Sequence, residues 1–258
     1  MLTASPATTD GLATRVIGEG LPVTVFAHGL GGSIAECRPL ANRVEGTRVL
    51  MDFRGHGASD PLVDGWDYDL LADDLLAVAD SFGATQAVGL SLGAGALMRL
   101  VSRTPDRFAR LAFVLPAAID STRRDGATLR LESLGDAIRL GDAPAAAALL
   151  LAELPAPVRE RRGVSALVLR RAQQLVTRPA PAPRYDDRPV SDRADLASVV
   201  APSLVISQLH DPLHPLSVAK ELMQALPSSV LRTFDEGGVF WTQPEAVQTA
   251  LALHLGAA

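Results

Sequence analysis

Residues 89–93, GLSLG, place the strongest constraint on how this chain can fold. They end an apolar, β-rich run (residues 85–90) and open a stretch with helical spacing (residues 93–104). A serine on so sharp a turn between a strand and a helix is crowded by the residues two positions before and after it, so both must be nearly bare of side chain. Gly89 and Gly93 meet that demand. The pattern therefore predicts a strand, a tight turn and a helix, with Ser91 as a candidate nucleophile.

Strand and helix patterns alternate through the first half of the chain and again near its end. The β-rich runs are residues 22–28, 47–53, 85–90, 111–117, 203–207 and 230–234. Helical spacing is found at residues 36–44, 68–82, 93–104, 192–200, 215–226 and from residue 244 onward. Strands that alternate with helices predict an α/β fold with an open, mostly parallel, doubly wound sheet covered on both faces.

The alternation stops between residues 121 and 191. Helical spacing recurs there at residues 126–140, 144–154 and 158–177 with no β-rich run between them. We therefore expect a core made of residues 1–120 and 192–258, with a helical insertion of residues 121–191. Alternating prolines fix the backbone of residues 178–184, RPAPAPR, which predicts an extended return to the core.

Composition narrows the classes of function. A chain of 258 residues with 48% apolar residues can fill one sizeable core. With 24 basic against 29 acidic residues and no long basic block, nucleic acid is not an expected partner. The absence of a long apolar run indicates no membrane segment, so we expect a cytoplasmic protein. Neither a zinc-ligand spacing nor a dinucleotide-binding glycine motif is present, so we expect no metal and no cofactor. The oligomeric state stays open.

Two further motifs follow predicted strands. In residues 28–32, HGLGG, peptide N–H groups could point at a developing oxyanion, and the backbone of Leu30 would form a pair with that of Leu92. The alternative is a glycine turn without a ligand. Residues 211–215, DPLHP, put Asp211 at the carboxyl end of a strand, where open α/β sheets bind their ligands. An Asp-Pro can equally form a turn or a helix cap.

With these motifs in this order, the chain resembles the α/β-hydrolase fold superfamily over essentially its whole length, in particular serine esterase and lactonase-like members with a helical cap. HGLGG is similar to the oxyanion turn of that family, GLSLG to its nucleophile elbow and DPLHP to its acid turn, while residues 52–60, DFRGHGASD, match the turn after the next strand. The resemblance implies Ser91 as nucleophile, Asp211 as acid, the Leu30 and Leu92 amides as oxyanion donors, and a structural role for His56. It also implies that the helical insertion of residues 121–191 is a cap that follows the sixth strand.

The residue that should act as the base is missing. The family places a histidine in the loop after the last strand, and here that loop, residues 236–243, reads EGGVFWTQ. Counting forward from the strand puts the position near Gly238 or Val239, whereas counting back from the next helix puts it at Gln243, which we favour. Glutamine cannot take up a proton near neutral pH. Loss of the histidine in a serine triad costs on the order of 10⁶ in kcat.

Four interpretations remain open at this point. In the first, the chain is a hydrolase whose base has been substituted at Gln243. In the second, it is a hydrolase that uses another base, and His210 and His214 are the available candidates beside Asp211. Alternatively it is a non-hydrolytic lyase, cyclase or decarboxylase that uses the oxyanion donors on an enolate or alkoxide, or a ligand-binding relative without turnover. We favour an enzyme that acts on an ester, lactone, thioester or related carbonyl.

The expected cap is rich in apolar side chains, which predicts an apolar cavity wall and a small hydrophobic or acyl-type substrate. The same side chains would also appear if they only packed on the core. They are Leu129, Leu134, Ile138, Leu149, Leu150, Leu154, Leu167 and Val168. Outside the cap, the residues expected near the substrate are His28, Gly29, Val239, Phe240 and Trp241.

Overall fold

A computed structural model of the chain describes residues 7–62, 64–122, 125–179 and 187–256. The strands in these residues are β1 (Ala7–Thr9), β2 (Leu12–Ile17), β3 (Val23–Ala27), β4 (Thr47–Met51), β5 (Gln86–Leu90), β6 (Arg110–Val114), β7 (Ser203–Gln208) and β8 (Ser229–Phe234). They form one sheet in the order β1-β2-β4-β3-β5-β6-β7-β8. β2 is antiparallel to β1 and β4, and every other pair is parallel. The predicted mostly parallel sheet is confirmed.

The antiparallel hairpin of β1 and β2 was not expected from the sequence. Asp10 and Gly11 join the two strands, with φ angles of 50° and 79°. Positive φ at both central residues defines the tight turn whose twist matches that of a hairpin, and Asp-Gly is one of its preferred sequences. The sequence therefore contains the signal for this hairpin, but the strand before the turn, β1, has only 3 residues.

The helices in the described residues are α1 (Ile34–Ala41), α2 (Tyr68–Ser81), α3 (Leu92–Arg103), α4 (Gly126–Arg139), α5 (Ala143–Ala152), α6 (Ala156–Arg159), α7 (Val164–Thr177), α8 (Leu216–Ala225) and α9 (Pro244–Gly256). A 3₁₀ helix spans Arg193–Ser198, and a π-helical turn spans Gly238–Thr242.

The sheet has a separate hydrophobic core on each face. α1 and α9 pack on one face, where Phe26 of β3 is fully buried. α2, α3 and α8 cover the other face, where the preceding residue, Val25, is fully buried. Because neighbouring residues of a strand point to opposite faces, β3 must be apolar at every position, as its sequence VTVFA nearly is.

The helices α4 to α7 lie between β6 and β7, where the sequence predicts the insertion. The predicted single helix over residues 158–177 was wrong, since α6 and α7 are separate. Gly163 lies just before α7 with a φ of 86°, a left-handed conformation that a continuous α-helix does not contain. Most of the predicted extended segment 178–184 falls outside the described residues, which resume at Asp187.

None of the helices in the described part of the chain combines the length and the apolar character needed to cross a bilayer.

Candidate active site

The sheet topology opens a crevice at the carboxyl ends of its central strands. β3 lies between β4 and β5, and the chain leaves β3 toward α1 on one face but leaves β5 toward α3 on the other. Open α/β sheets bind ligands at such a reversal. A cavity of about 530 Å³ is found here. Its wall includes Leu30 from the turn after β3, Ser91 from the turn after β5, and both Asp211 and His214 from the turn after β7.

Ser91 sits in a strained bend between β5 and α3. Its φ of 50° and ψ of −106° lie in a region that residues other than glycine rarely adopt. Its N–H donates to the carbonyl of Val114, 2.9 Å away, which anchors the bend to β6. A Cβ on Gly89 would overlap the carbonyl of Gly93, and a Cβ on Gly93 would overlap the carbonyl of Ala27. The bend therefore tolerates no side chain at either glycine.

His214 lies between Ser91 and Asp211. Its Nε2 is 2.9 Å from Ser91 Oγ, and its Nδ1 is 2.9 Å from Asp211 Oδ2. An ionised carboxylate only accepts hydrogen bonds, so Nδ1 holds the proton and donates it to Asp211. Nε2 is then the unprotonated nitrogen, and it accepts a hydrogen bond from the Ser91 hydroxyl. The three side chains have the hydroxyl–imidazole–carboxylate order of a serine triad.

The turn after β7 holds the Asp211 carboxylate from several directions. Oδ1 accepts from the backbone N–H groups of Leu213 and His214, at 2.9 and 3.0 Å. Oδ2 accepts from Gln208 Nε2 at 2.8 Å as well as from His214. Burial raises the pKa of Asp211, but the hydrogen bond and charge of His214, together with Gln208, lower it by more. The net pKa lies below the usual value, so the carboxylate is charged at neutral pH.

The Leu30 and Leu92 amides have no acceptor among the described residues, and both residues line the cavity. The turn around them is closed by other bonds. Gly32 N donates to Gly29 O at 2.9 Å, and Gly93 N donates to His28 O at 3.1 Å. This arrangement leaves two backbone donors available beside Ser91.

His28 is structural. Its side chain is fully buried and is not part of the cavity wall. Nδ1 is 2.7 Å from Gly29 O, and Nε2 accepts from Phe53 N at 3.1 Å. Burial, with a further contribution from His56, lowers the pKa of His28 to about 3, so the ring is neutral. The expectation that His28 contacts the substrate does not fit this position, although Gly29 does line the cavity.

The structure does not bring Gln243 to Ser91 or Asp211. The loop after β8 curls into the π-helical turn, and Gln243 lies at its end, where Oε1 accepts from Asp235 N at 2.8 Å. Val239 is buried in the core, so its side chain is not in the cavity wall, whereas Phe240 and Trp241 are. The side chains expected beside the base position are thus divided between core and cavity.

Of the two alternative histidines, only His214 contacts both Ser91 and Asp211 among the described residues. His210 also lines the cavity but is exposed and has no hydrogen bond to Ser91 or Asp211 within the described ranges. Sequence reasoning also missed Gln208, the last residue of β7, which contacts Asp211. Its position three residues before the acid is the only signal that could have found it.

The cavity wall is mostly apolar, but only part of the expected cap surface contributes. Leu134, Leu149, Leu150 and Leu154 line the cavity. Two of the other predicted side chains, Leu129 and Leu167, are 64% and 51% exposed instead, because they lie on outward faces of α4 and α7. Ile138 and Val168 pack inside the helical layer. An ion pair between Arg130 and Glu153, 2.7 Å apart, adds a polar edge to the wall.

Glu36 is an ionisable group that is hydrogen-bonded to the turn after β3. Its Oε2 accepts from Gly29 N at 3.0 Å, and the side chain reaches the cavity wall. Burial raises the pKa of Glu36, and the charge of Arg171 only partly offsets this effect. No group of three or more histidine, cysteine, aspartate or glutamate side chains in the described ranges could hold a metal ion.

Comparisons with known proteins agree with this architecture. A profile of the alpha/beta hydrolase fold family matches residues 22–245. The AB hydrolase superfamily protein YisY of Bacillus subtilis is 28% identical over 251 residues, which is 92% of each chain. The bifunctional esterase/perhydrolase DCH of Acinetobacter calcoaceticus is 40% identical over 90 residues, about 33% of each chain. The crystal structure of an enol-lactonase from Burkholderia xenovorans superposes with a TM-score of 0.77 at 22% identity, covering 98% of this chain and 100% of that one. This chain therefore belongs to the α/β-hydrolase fold family.

Proposed function

We propose that this protein is a serine hydrolase that cleaves esters, lactones, thioesters or related carbonyl compounds, with Ser91 as nucleophile, His214 as base and Asp211 as acid. The proposal depends on one observation, the pair of 2.9 Å contacts that joins the three side chains. Esterase and lactonase activities are named for relatives and structural neighbours of this chain. The proposal selects the second interpretation of the missing base, a histidine recruited from another loop.

In the first half of the reaction, Ser91 Oγ attacks the carbonyl carbon of the bound substrate. The hydroxyl proton passes to His214 Nε2 as the bond forms. The carbonyl oxygen becomes negative and is stabilised by the N–H groups of Leu30 and Leu92. The intermediate then breaks its bond to the leaving group, which takes the proton from Nε2. An acyl group remains on Ser91.

In the second half, a water molecule replaces the leaving group. His214 Nε2 takes a proton from this water while its oxygen attacks the acyl carbon, and the proton then returns to Ser91 Oγ as the acid product departs. Asp211 keeps the proton on Nδ1 and stabilises the positive charge of the imidazolium in both halves. No other group is needed to balance the protons.

The unusual part of the proposal is the place of the base. His214 follows Asp211 by three residues, and its own backbone N–H is bonded to Asp211 Oδ1. The acid and the base therefore share one turn, whereas the family resemblance places them on two loops. The shared turn fixes the imidazole with respect to the carboxylate, because both side chains belong to it.

The proposed substrate has a small apolar acyl or alkyl group. The cavity of about 530 Å³ is lined on the cap side by leucines and on the core side by aromatic side chains such as Trp66 and Phe240. Such a wall excludes water from the carbonyl. Burial of apolar substrate surface against it stabilises the complex by about 25 cal/mol per Å².

The test compares labelling by a fluorophosphonate and hydrolysis of p-nitrophenyl butyrate across matched variants. We expect labelling at Ser91 in the unchanged protein and none in Ser91→Ala. His214→Phe should lower both rates by roughly 10³-fold or more, because the serine loses its base. His210→Phe is the histidine control from the same turn: it should retain labelling at Ser91 and kcat, because His210 makes no hydrogen bond to Ser91 or Asp211 among the described residues, and any change should be confined to KM, since His210 lines the cavity.

Gln243→His separates the remaining interpretations. If His214 is the base, this variant gains nothing, because position 243 faces Asp235 N. Labelling that appears only in Gln243→His would show instead that the base has been substituted there. A parent protein that binds acyl ligands but resists labelling would leave the lyase or binding interpretation.

A further inference from the structure

We propose that Gln208 is a positioning residue that sets the basicity of the Asp211 carboxylate and couples it to the wall of the cavity. This inference rests on the proposed triad and assigns a role to a residue outside it. Gln208 ends β7 and is half-buried at the edge of the cavity.

The two ends of the Gln208 amide have different partners. Nε2 donates to Asp211 Oδ2 at 2.8 Å, and Oε1 accepts from Val239 N at 3.2 Å. A carboxylate can only accept and a peptide N–H can only donate, so the two contacts fix which end of the amide is which. Gln208 is therefore held in a single orientation.

The oxygen that Gln208 contacts is the one that serves the base. Asp211 Oδ2 accepts from both Gln208 Nε2 and His214 Nδ1. A second donor withdraws charge from that oxygen, so it pulls less strongly on the imidazole proton. Asp211 then stabilises less strongly the positive charge that the imidazole takes up during the reaction.

The other end of Gln208 reaches the loop that the family resemblance expects to provide the histidine. Val239 N belongs to the π-helical turn of residues 238–242, and the next two residues, Phe240 and Trp241, line the cavity. Val239 itself is 1% exposed. The Gln208 side chain thus links Asp211 to the backbone of the turn that carries Phe240 and Trp241. Loss of the amide should alter substrate binding as well as the acid–base step.

Few charged groups face this network. Asp211 is in direct contact with His214, and the Glu36 carboxyl on α1 interacts electrostatically with His214. Arg171 on α7 faces Glu36. Gln208 is neutral, so its replacement by an apolar side chain changes hydrogen bonding to Asp211 without adding a charge.

The experiment measures kcat/KM for p-nitrophenyl butyrate against pH in Gln208→Leu and Gln208→Glu. Gln173→Leu on α7 is the matched control, because it makes the same replacement at an exposed position. We expect Gln208→Leu to lower kcat/KM by roughly 10-fold, to raise KM, and to move the acid limb of the profile to higher pH. Gln208→Glu keeps an acceptor for Val239 N but puts a second carboxyl beside Asp211 in place of the amide donor. Its negative charge also favours the imidazolium, so the acid limb should move in the same direction, with a smaller change in KM.

An NMR measurement tests the role of Gln208 independently of catalytic turnover. In Gln208→Leu, the NMR resonance of the proton on His214 Nδ1 should move to lower field, since Asp211 Oδ2 has become a stronger acceptor. An unchanged resonance and an unchanged acid limb, in a protein whose activity still depends on His214, would overturn the role of Gln208 and leave the triad intact. If activity is independent of His214, the triad fails, and the resonance in both Gln208 variants still decides whether Gln208 controls Asp211.

Discussion

The Glu36 carboxyl lies directly beneath the turn that carries the proposed oxyanion donor Leu30. It accepts from the neighbouring Gly29 N, yet it is buried enough for its pKa to be raised. A negative charge at this place would oppose the negative oxygen of the reaction, so a neutral Glu36 suits the proposed chemistry better than an ionised one. Ionisation of this group is therefore costly for folding, and under the proposed mechanism it would also oppose catalysis.

We predict that Glu36→Gln becomes more stable than the parent protein as the pH rises. A carboxyl whose folded pKa exceeds its unfolded value of 4.5 contributes stability that is complete below that value and is lost as pH rises through the folded pKa. The amide keeps an acceptor for Gly29 N and has nothing to ionise. The free energy of unfolding in urea, measured for both proteins from about pH 4.5 to 8, should show a gap that grows with pH. A gap that stays constant across this range would contradict the prediction.

The residues of the candidate site differ in how far sequence could identify them. The roles proposed for Ser91 and the glycines around it follow from local spacing, because the crowding of a tight turn involves only near neighbours. The base could not be identified in this way. His214 meets Ser91 across 123 residues of sequence, and whether it or a residue after β8 reaches the hydroxyl depends on how two loops meet in space. The amino-acid sequence of the turn, residues 210–215, does not favour His214 over His210 as the base.

At the scale of elements, the contact between α2 and α3 requires a residue without a side chain at position 95. Gly95 lies one turn along α3 from Ser91, and a Cβ at this position would overlap the ring of Tyr68 at the start of α2. The Tyr68 ring is held between Trp66, with ring centroids 5.5 Å apart, and the helix. It therefore has little room to move away. The tight approach of these helices supports the bend that presents Ser91.

We predict that Gly→Ala has opposite effects on α3 and α4. Gly95→Ala should destabilise the protein by about 1–3 kcal/mol, because the added methyl group overpacks a rigid contact. Gly135→Ala in the interior of α4 would meet only the flexible end of Arg139, so it should stabilise by about 0.5–1 kcal/mol through higher helix propensity. Thermal or urea unfolding of both variants provides the check. A loss of stability in both, or in neither, would be inconsistent with this packing.

The main elements could be predicted because their apolar periodicity is strong. The strand patterns at residues 22–28 and 85–90 contain β3 and β5, and the pattern at residues 68–82 ends within a residue of α2. The errors have local backbone causes. The β1–β2 hairpin depends on a two-residue turn, and the break before α7 depends on the left-handed conformation of Gly163. Periodicity does not report either feature, since both are properties of single turns.

Two buried histidines, His28 and His56, and the half-buried His254 make the stability of the molecule depend on pH. Burial lowers the pKa of His28, of His56 and of His254, so each ring is neutral in the folded protein. His28 bridges the turn after β3 and the loop after β4. His254 Nε2 lies 2.9 Å from Leu111 O, near the start of β6. Protonation of His28 or His56 would place a charge in the core.

We predict that the free energy of unfolding falls as the pH is lowered below about 6.5. A histidine whose folded pKa is depressed contributes stability that is present above its unfolded pKa of 6.5 and is lost as pH falls, because the unfolded chain binds a proton that the folded chain does not. For His28 the loss continues toward pH 3, at up to about 1.4 kcal/mol per pH unit.

The buried carboxyls of Glu36, Asp52 and Asp74 act in the opposite sense, since their pKa values are raised and they gain stability on protonation. The informative quantity is therefore the difference between the parent and His28→Gln at each pH. Glutamine retains a donor and an acceptor but does not titrate, so the variant should be less stable at pH 7 and lose less stability per pH unit on acidification. The same measurement on His210→Gln, at an exposed position, should follow the parent curve. If His28→Gln instead shows the full slope of the parent, the acid sensitivity originates elsewhere and His28 is not the main site of proton uptake on unfolding.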